Sequence, residues 1–249
     1  MRSPTFVVSA FSALLLALAV QASPPLSASS EAKSALAVST QIAAASAAVG
    51  DTELDSESDT TPIRGANIGG GVFLIEPFIK PSLFDQFLSR NKADIPVDEW
   101  TFTAALGKVE AKRQLEEHWD TFVTRDHLEA MAESGINWIR IPIGYWAFNL
   151  TDDEPYVDGQ VPYIERVLEW SRDIGLKVEL DLHGAPGSQN GYDNSGRRGV
   201  PEWLHSRINV DRTLDALAKM TKIAVDWSDV VYGIQILNEP SRWNGVSNC

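Results

Sequence analysis

The chain has 249 residues, 44% of them apolar and 22% charged, which suits one soluble core and not clearly two. Its 21 basic side chains face 34 acidic ones, a formal charge of −13. Such a chain repels phosphate backbones, which argues against nucleic acid as a partner, while a neutral polysaccharide is indifferent to the charge.

Residues 1–22 read as a secretory signal peptide. Arg2 supplies the positive start, an apolar run covers 6–20, and Val20-Gln21-Ala22 offers the small residues a signal peptidase needs. The run falls short of the ~20 apolar residues of a membrane helix, so no stable membrane span is expected. Residues 23–62 reduce to Ala, Ser, Thr and scattered acids with no aromatic side chain, and read as a disordered leader open to O-glycosylation. The folded region is expected over 63–249. The only cysteine is Cys249. It reads either as a tolerated surface thiol or as one whose partner lies further along a longer chain.

From residue 63 onward, short β-branched runs alternate with helical patterns. Strands are expected over 63–68, 137–143, 177–183 and 230–237. The region from Phe84 to Thr124 is long for one crossover and is expected to hold extra helices over one end of the sheet. Thr124 is placed to cap a helix ending at Gly135. Residues 161–174 put Val161, Ile164, Val167, Leu168 and Ile174 on one helical face, with Gly175 where a left-handed stop belongs. Leu214, Leu217, Met220, Ile223 and Trp227 mark another helix. This succession predicts a parallel sheet with crossover helices.

A period of two separates the parallel architectures. Glu179, Asp181 and His183 share one face of the third strand, with Val178, Leu180 and Leu182 on the other. In the fourth, Gln235 and Glu239 are expected opposite Ile234 and Ile236. Polar residues along one strand face suit the interior of a (β/α)8 barrel near its carboxyl mouth. A doubly wound sheet, which is apolar on both faces, remains the alternative, weakened because no G-x-G-x-x-G follows the first strand. Polar groups punctuate each strand: Asn67 after the first, Arg140 within the second, His183 ending the third, and Asn238-Glu239 after the fourth. In a barrel all of them would converge on one pocket.

Four motifs carry a resemblance: RGANIGGGVFLIEPFI from residue 64, NWIRIPIGYWAF from 137, DLHGAPGSQNGYDNSG from 181 and GIQILNEP from 233. In order and spacing they resemble glycoside hydrolase family 5, in its fungal exo-1,3-β-glucanase branch, over about residues 63–240. The resemblance implies a (β/α)8 barrel of which the chain holds about the first four β/α units. It implies β-glucan as substrate and no metal or cofactor. Glu239 would be the general acid/base, and Asn238 would hydrogen-bond the sugar 2-hydroxyl. Arg140 and His183 would order the catalytic carboxylates and bind sugar. Glu76 and Asp193 would grip the terminal glucose, and Tyr192 would clamp sugar at the pocket mouth.

A retaining glycosidase needs two carboxyl groups ~5–5.5 Å apart, the donor holding its proton through partial burial or the other's charge. The nucleophile expected from the resemblance lies beyond the last residue of this chain. Gly71 also stands where the resemblance leads one to expect an aromatic residue. Four strands cannot close a barrel of eight, so these residues alone are expected to be inactive, and poorly soluble or paired with a second copy. The competing reading is a secreted glucan-binding protein without turnover, holding sugar through Tyr192, Asp193, Glu76 and some of the eight tryptophans.

Overall fold

A computed structural model describes residues 61–70, 81–199 and 201–241. The expected signal peptide, all but the last two residues of the leader, Gly71, Glu76 and Cys249 lie outside the described residues.

Four parallel strands form one sheet in the order β1-β2-β3-β4. They are β1 (Gly65–Asn67), β2 (Trp138–Gly144), β3 (Lys177–Gly184) and β4 (Val231–Gln235). Each strand lies beside its predecessor. A doubly wound sheet would reverse direction from a central strand, so the sequential order excludes that alternative and matches the wall of a barrel. β1 is shorter than the strand expected over 63–68, and β4 ends before the expected 237. Near its start, the pairing of β4 with β3 shifts register between Val178 and Glu179.

The helices longer than one turn are α1 (Glu99–Leu106), α2 (Lys108–Thr121), α3 (Arg125–Glu133), α4 (Val161–Ile174) and α5 (Arg207–Asp226). α1 and α2 are the extra helices expected between Phe84 and Thr124. Asp98 caps α1 by accepting from the Thr101 N–H at 2.7 Å, which satisfies a donor that the helix itself leaves unpaired. α3 starts after Thr124, whose N–H donates to the His127 ring at 3.3 Å. α4 ends at Gly175 with φ 88°, a left-handed stop that disfavours any residue carrying a Cβ. On α5 the buried face is Thr213, Ala216, Met220 and Ile223 with Ala224. This face is rotated from the expected one, since Leu214 and Leu217 are only partly covered. A small Ala216 at the centre lets the helix approach the sheet, and the Thr213 hydroxyl accepts from the Trp203 indole at 3.0 Å.

The core lies between the outer sheet face and the helices. Ile139, Ile141 and Ile143 of β2 and Val178, Leu180 and Leu182 of β3 are buried there, together with Ile164, Val167 and Leu168 of α4. Each such side chain contributes about 1.5–3 kcal/mol by leaving water. Two of the tryptophans, Trp119 and Trp146, are also core. Trp146 stacks on Tyr156 at 4.0 Å and donates to the buried Glu99 at 2.8 Å. Gly184 is required where β3 ends, because a Cβ there would lie 2.6 Å from the Ser195 carbonyl and 2.8 Å from the Trp146 ring.

Candidate active site

The inner sheet face holds the polar residues in layers. Asn67, Arg140 and Glu179 stand opposite one another across β1, β2 and β3, and Glu179 pairs with Gly233. One layer nearer the carboxyl ends, Asp181 pairs with Gln235. Gly233 leaves room beside Glu179, whose side chain would be 3.7 Å from any Cβ at that position.

Arg140 joins the layers. Its guanidinium donates to the Gln235 side chain at 2.8 Å, Asn67 Oδ1 at 2.9 Å and Asn238 Oδ1 at 3.0 Å, and it pairs with Asp181 at 2.8 Å. The same Asp181 oxygen lies 2.6 Å from His183 Nδ1. Arg140 can only donate, so Asn238 must turn its oxygen toward Arg140 and its amide nitrogen toward His183 Nε2, 3.3 Å away. His183 then donates from Nδ1 to Asp181 and accepts at Nε2 from Asn238. This arrangement is self-consistent for a neutral imidazole with its proton on Nδ1.

Arg140, His183 and Asn238, expected to converge, are thus in one hydrogen-bonded cluster, with Asp181 and Gln235 beneath them. Glu239 follows Asn238, but not along the face expected for it. β4 has ended, and the Glu239 backbone turns to φ 45°, so strand alternation no longer governs its side chain. An L-residue in this left-handed region carries a cost of about 1–2 kcal/mol. The Glu239 side chain is exposed and accepts from the Asn194 amide at 2.9 Å. The partial burial expected for a proton donor is therefore absent among the described residues.

Tyr192 and Asp193 sit on the loop after β3, beside Asn194 and thus near Glu239. Tyr192 is 59% exposed, which leaves its ring free to meet a ligand. Asp193 Oδ1 accepts from the Asn194 backbone at 3.1 Å, and no hydrogen bond among the described residues links Asp193 or Tyr192 directly to Arg140. The loop is braced from α1: the Trp100 N–H donates to Gly196 at 3.0 Å, and Asp98 accepts from the Arg198 N–H at 2.7 Å.

Three contributors escaped the sequence reading. Asn190 donates to Asn194 Oδ1 at 3.1 Å and so aims the Asn194 amide at Glu239. Asn194 itself is the second. Gln189, buried in the same loop, bonds to the His183 carbonyl in β3 and to the Asn238 carbonyl beyond β4. An irregular loop has no periodicity to reveal such bonds; the only signal was its density of Gly, Ser and Asn.

A hollow of about 400 Å³ opens lower on the inner face, lined by Ile63, Gly65, Ala66, Asn67, Trp138, Arg140 and Glu179. It shares Asn67 and Arg140 with the cluster but does not reach Glu239. Burial pushes the Glu179 carboxyl above its ordinary range, and Asp181 adds to this, against the pull of Arg140. Among the described residues no group of three or more His, Cys, Asp or Glu is arranged to hold a metal ion.

Residues 103–248 match Cellulase (glycosyl hydrolase family 5), more than half of the chain. The chain belongs to glycosyl hydrolase family 5. It is 51% identical over 185 residues to probable glucan 1,3-beta-glucosidase A of Aspergillus fumigatus, covering 74% of this chain and 43% of that protein. With glucan 1,3-beta-glucosidase of Pichia angusta it shares 49% identity over 192 residues, 76% of this chain and 42% of that one. Rutinosidase from Aspergillus niger superposes with a TM-score of 0.67 at 21% identity, over 75% of this chain and 51% of that structure, a likeness of fold alone. The chain spans less than half the length of these curated relatives. The sheet is accordingly part of the (β/α)8 barrel of the family, and among the described residues β1 and β4 each keep one edge unpaired.

Proposed function

We propose that the protein, at the length of its relatives, is a retaining exo-acting hydrolase of β-1,3-glucan. The observation that carries this is the joining of Arg140, Asp181, His183 and Asn238 beside Glu239 at the carboxyl ends of the strands. Glu239 gives its proton to the glycosidic oxygen as the nucleophile's carboxylate displaces that oxygen at the anomeric carbon, then takes a proton from the water that displaces the carboxylate in turn. Asn238 faces the sugar 2-hydroxyl. Arg140 and His183 fix Asn238 and bind sugar, and Asp193, Tyr192 and Glu76 hold the terminal glucose. The nucleophile belongs to the part of the relatives' length that this chain does not span, and its charge would keep the Glu239 proton in place.

The apolar start of the sequence supports export from the cell, with the glucan of a cell wall as the partner. Secretion into the medium that is lost when residues 1–22 are removed would check this.

The decisive experiment is glucose release from laminarin by the protein extended to the relatives' length. Glu239→Gln should lower the rate by about 100-fold or more, since proton transfer contributes ~10²–10⁴. Laminarin binding without glucose release by the unsubstituted protein would favour the glucan-binding alternative. Glucose release that survives Glu239→Gln would remove Glu239 from its role. The polypeptide of these 249 residues alone is expected to release none.

A further inference from the structure

Glu239 has a strained backbone and an exposed side chain, yet a proton donor must be held within a fraction of an ångström of its target. One residue bonds the backbone on both sides of Glu239. Gln189 is 2% exposed, and its side chain is fully committed. Its Oε1 accepts from the Ala185 N–H at 3.1 Å. Its Nε2 donates to the His183 carbonyl at 2.6 Å and to the Asn238 carbonyl at 2.9 Å. Its own backbone carbonyl accepts from the Ser241 N–H at 3.1 Å.

The Asn238 carbonyl belongs to the peptide unit that leads into Glu239, and Ser241 lies two residues after it. Gln189 therefore grips the chain on both sides of Glu239 and ties it to the end of β3, where the Asn238 N–H also meets the Leu182 carbonyl at 2.9 Å. Only a primary amide serves here. Two carbonyl oxygens need two N–H donors from one group, and the Ala185 N–H needs an acceptor on the same group.

We infer that Gln189 is the positioning residue that holds the Asn238–Glu239 peptide in its left-handed conformation and so aims the Glu239 proton at the leaving oxygen. This rests on the glycosidase reading above. Gln189 touches neither substrate nor the reacting atoms, and it acts through the Asn238 carbonyl.

The test compares two aryl β-glucosides with the protein at the length of its relatives. Phenyl β-glucoside has a poor leaving group that needs the Glu239 proton, while 2,4-dinitrophenyl β-glucoside leaves as a stable anion that does not. Gln189→Leu removes both donors. Gln189→Glu keeps the shape but sets oxygen against the two carbonyls, and remains informative if the leucine variant fails to fold. Both variants should lower kcat/KM on phenyl β-glucoside by about 10- to 100-fold, a large part of the ~10²–10⁴ that proton transfer supplies. On the dinitrophenyl substrate kcat/KM should change by less than about 3-fold, because no general acid is engaged.

Equal losses on the two substrates would mean that Gln189 merely supports the fold, and no loss would mean that it positions nothing; either overturns the inference. Should the unsubstituted protein hydrolyse neither glucoside, the glycosidase reading falls instead. A crystal structure of a variant then decides: Glu239 leaving its left-handed conformation upholds the inference, and an unmoved Glu239 overturns it.

Discussion

The two faces of β3 differ as sharply as any two regions of the molecule, although their residues alternate along one strand. On the outer face Val178, Leu180 and Leu182 have no exposure and lie among the side chains of the core. On the inner face Asp181 is equally buried, yet it is surrounded by Arg140 and His183. The outer face is held by area removed from water, which is non-directional and tolerant of shape. The inner face is held by direction: Arg140 meets acceptors on Asn67, Asp181, Gln235 and Asn238, and Asp181 and Asn238 in turn orient His183. A stable sheet needs the first kind of face. A catalytic site needs the second, because only directed bonds place atoms within the tolerance that chemistry demands.

The contrast can be broken on either side. The largest loss of stability is expected from Leu180→Ala, about 2–5 kcal/mol from lost burial and the cavity left behind, read by denaturant unfolding. Its effect on the site should be indirect and small as long as the protein stays folded. A smaller stability cost, about 1–3 kcal/mol, is expected from Asp181→Asn, which leaves Arg140 and His183 an oxygen but no opposing charge, and buries an amide N–H2 group where Asp181 Oδ1 has no partner. Here activity should fall further than stability, because the orientation of His183 and Asn238 is lost with it. A result in which Leu180→Ala damages turnover more than Asp181→Asn, both being folded, would contradict the division between the faces.

The smallest expected effect has the opposite sign. Burial raises the Glu179 carboxyl above its ordinary value of 4.5. The folded state therefore binds this proton more tightly than the unfolded state does. Stability contributed by the group is present below pH 4.5 and is lost as pH rises through the raised value. Glu179→Gln should then stabilise the protein at pH 7 by less than about 1 kcal/mol, since water screens a half-exposed group. The gain should vanish near pH 4, and melting temperatures at both pH values would check it. A loss of stability at pH 7 would show that attraction to Arg140 outweighs burial.

Much of this architecture was legible in the chain itself. The alternation Val178-Glu179-Leu180-Asp181-Leu182-His183 told which face would be apolar, because side chains on a strand point to opposite sides by geometry alone. The repeat through Ile164, Val167 and Leu168 and the stop at Gly175 marked α4 for equally local reasons. The convergence of Arg140, His183 and Asn238 followed once parallel strands were assumed, since their carboxyl ends must then lie together.

What lay beyond reach was everything that depended on where irregular backbone runs. Alternation assigned Glu239 to the face of Gln235, but the strand ended first and a left-handed residue turned the side chain to Asn194. The rotation of α5 onto Ala216 depended on the close approach of helix to sheet, and Leu214 and Leu217 gave no hint of it. Gln189 carried no signal of its role, because its partners are backbone groups at the end of β3 and, far along the chain, beyond β4. The local pattern of the sequence determined which segments would be strands and helices and which faces they would bury. Tertiary structure alone decided how the loop from Ala185 to Gly196 meets the end of β4. Hydrogen bonds between segments distant in the chain depend on the position of both ends, and no short stretch of sequence contains both.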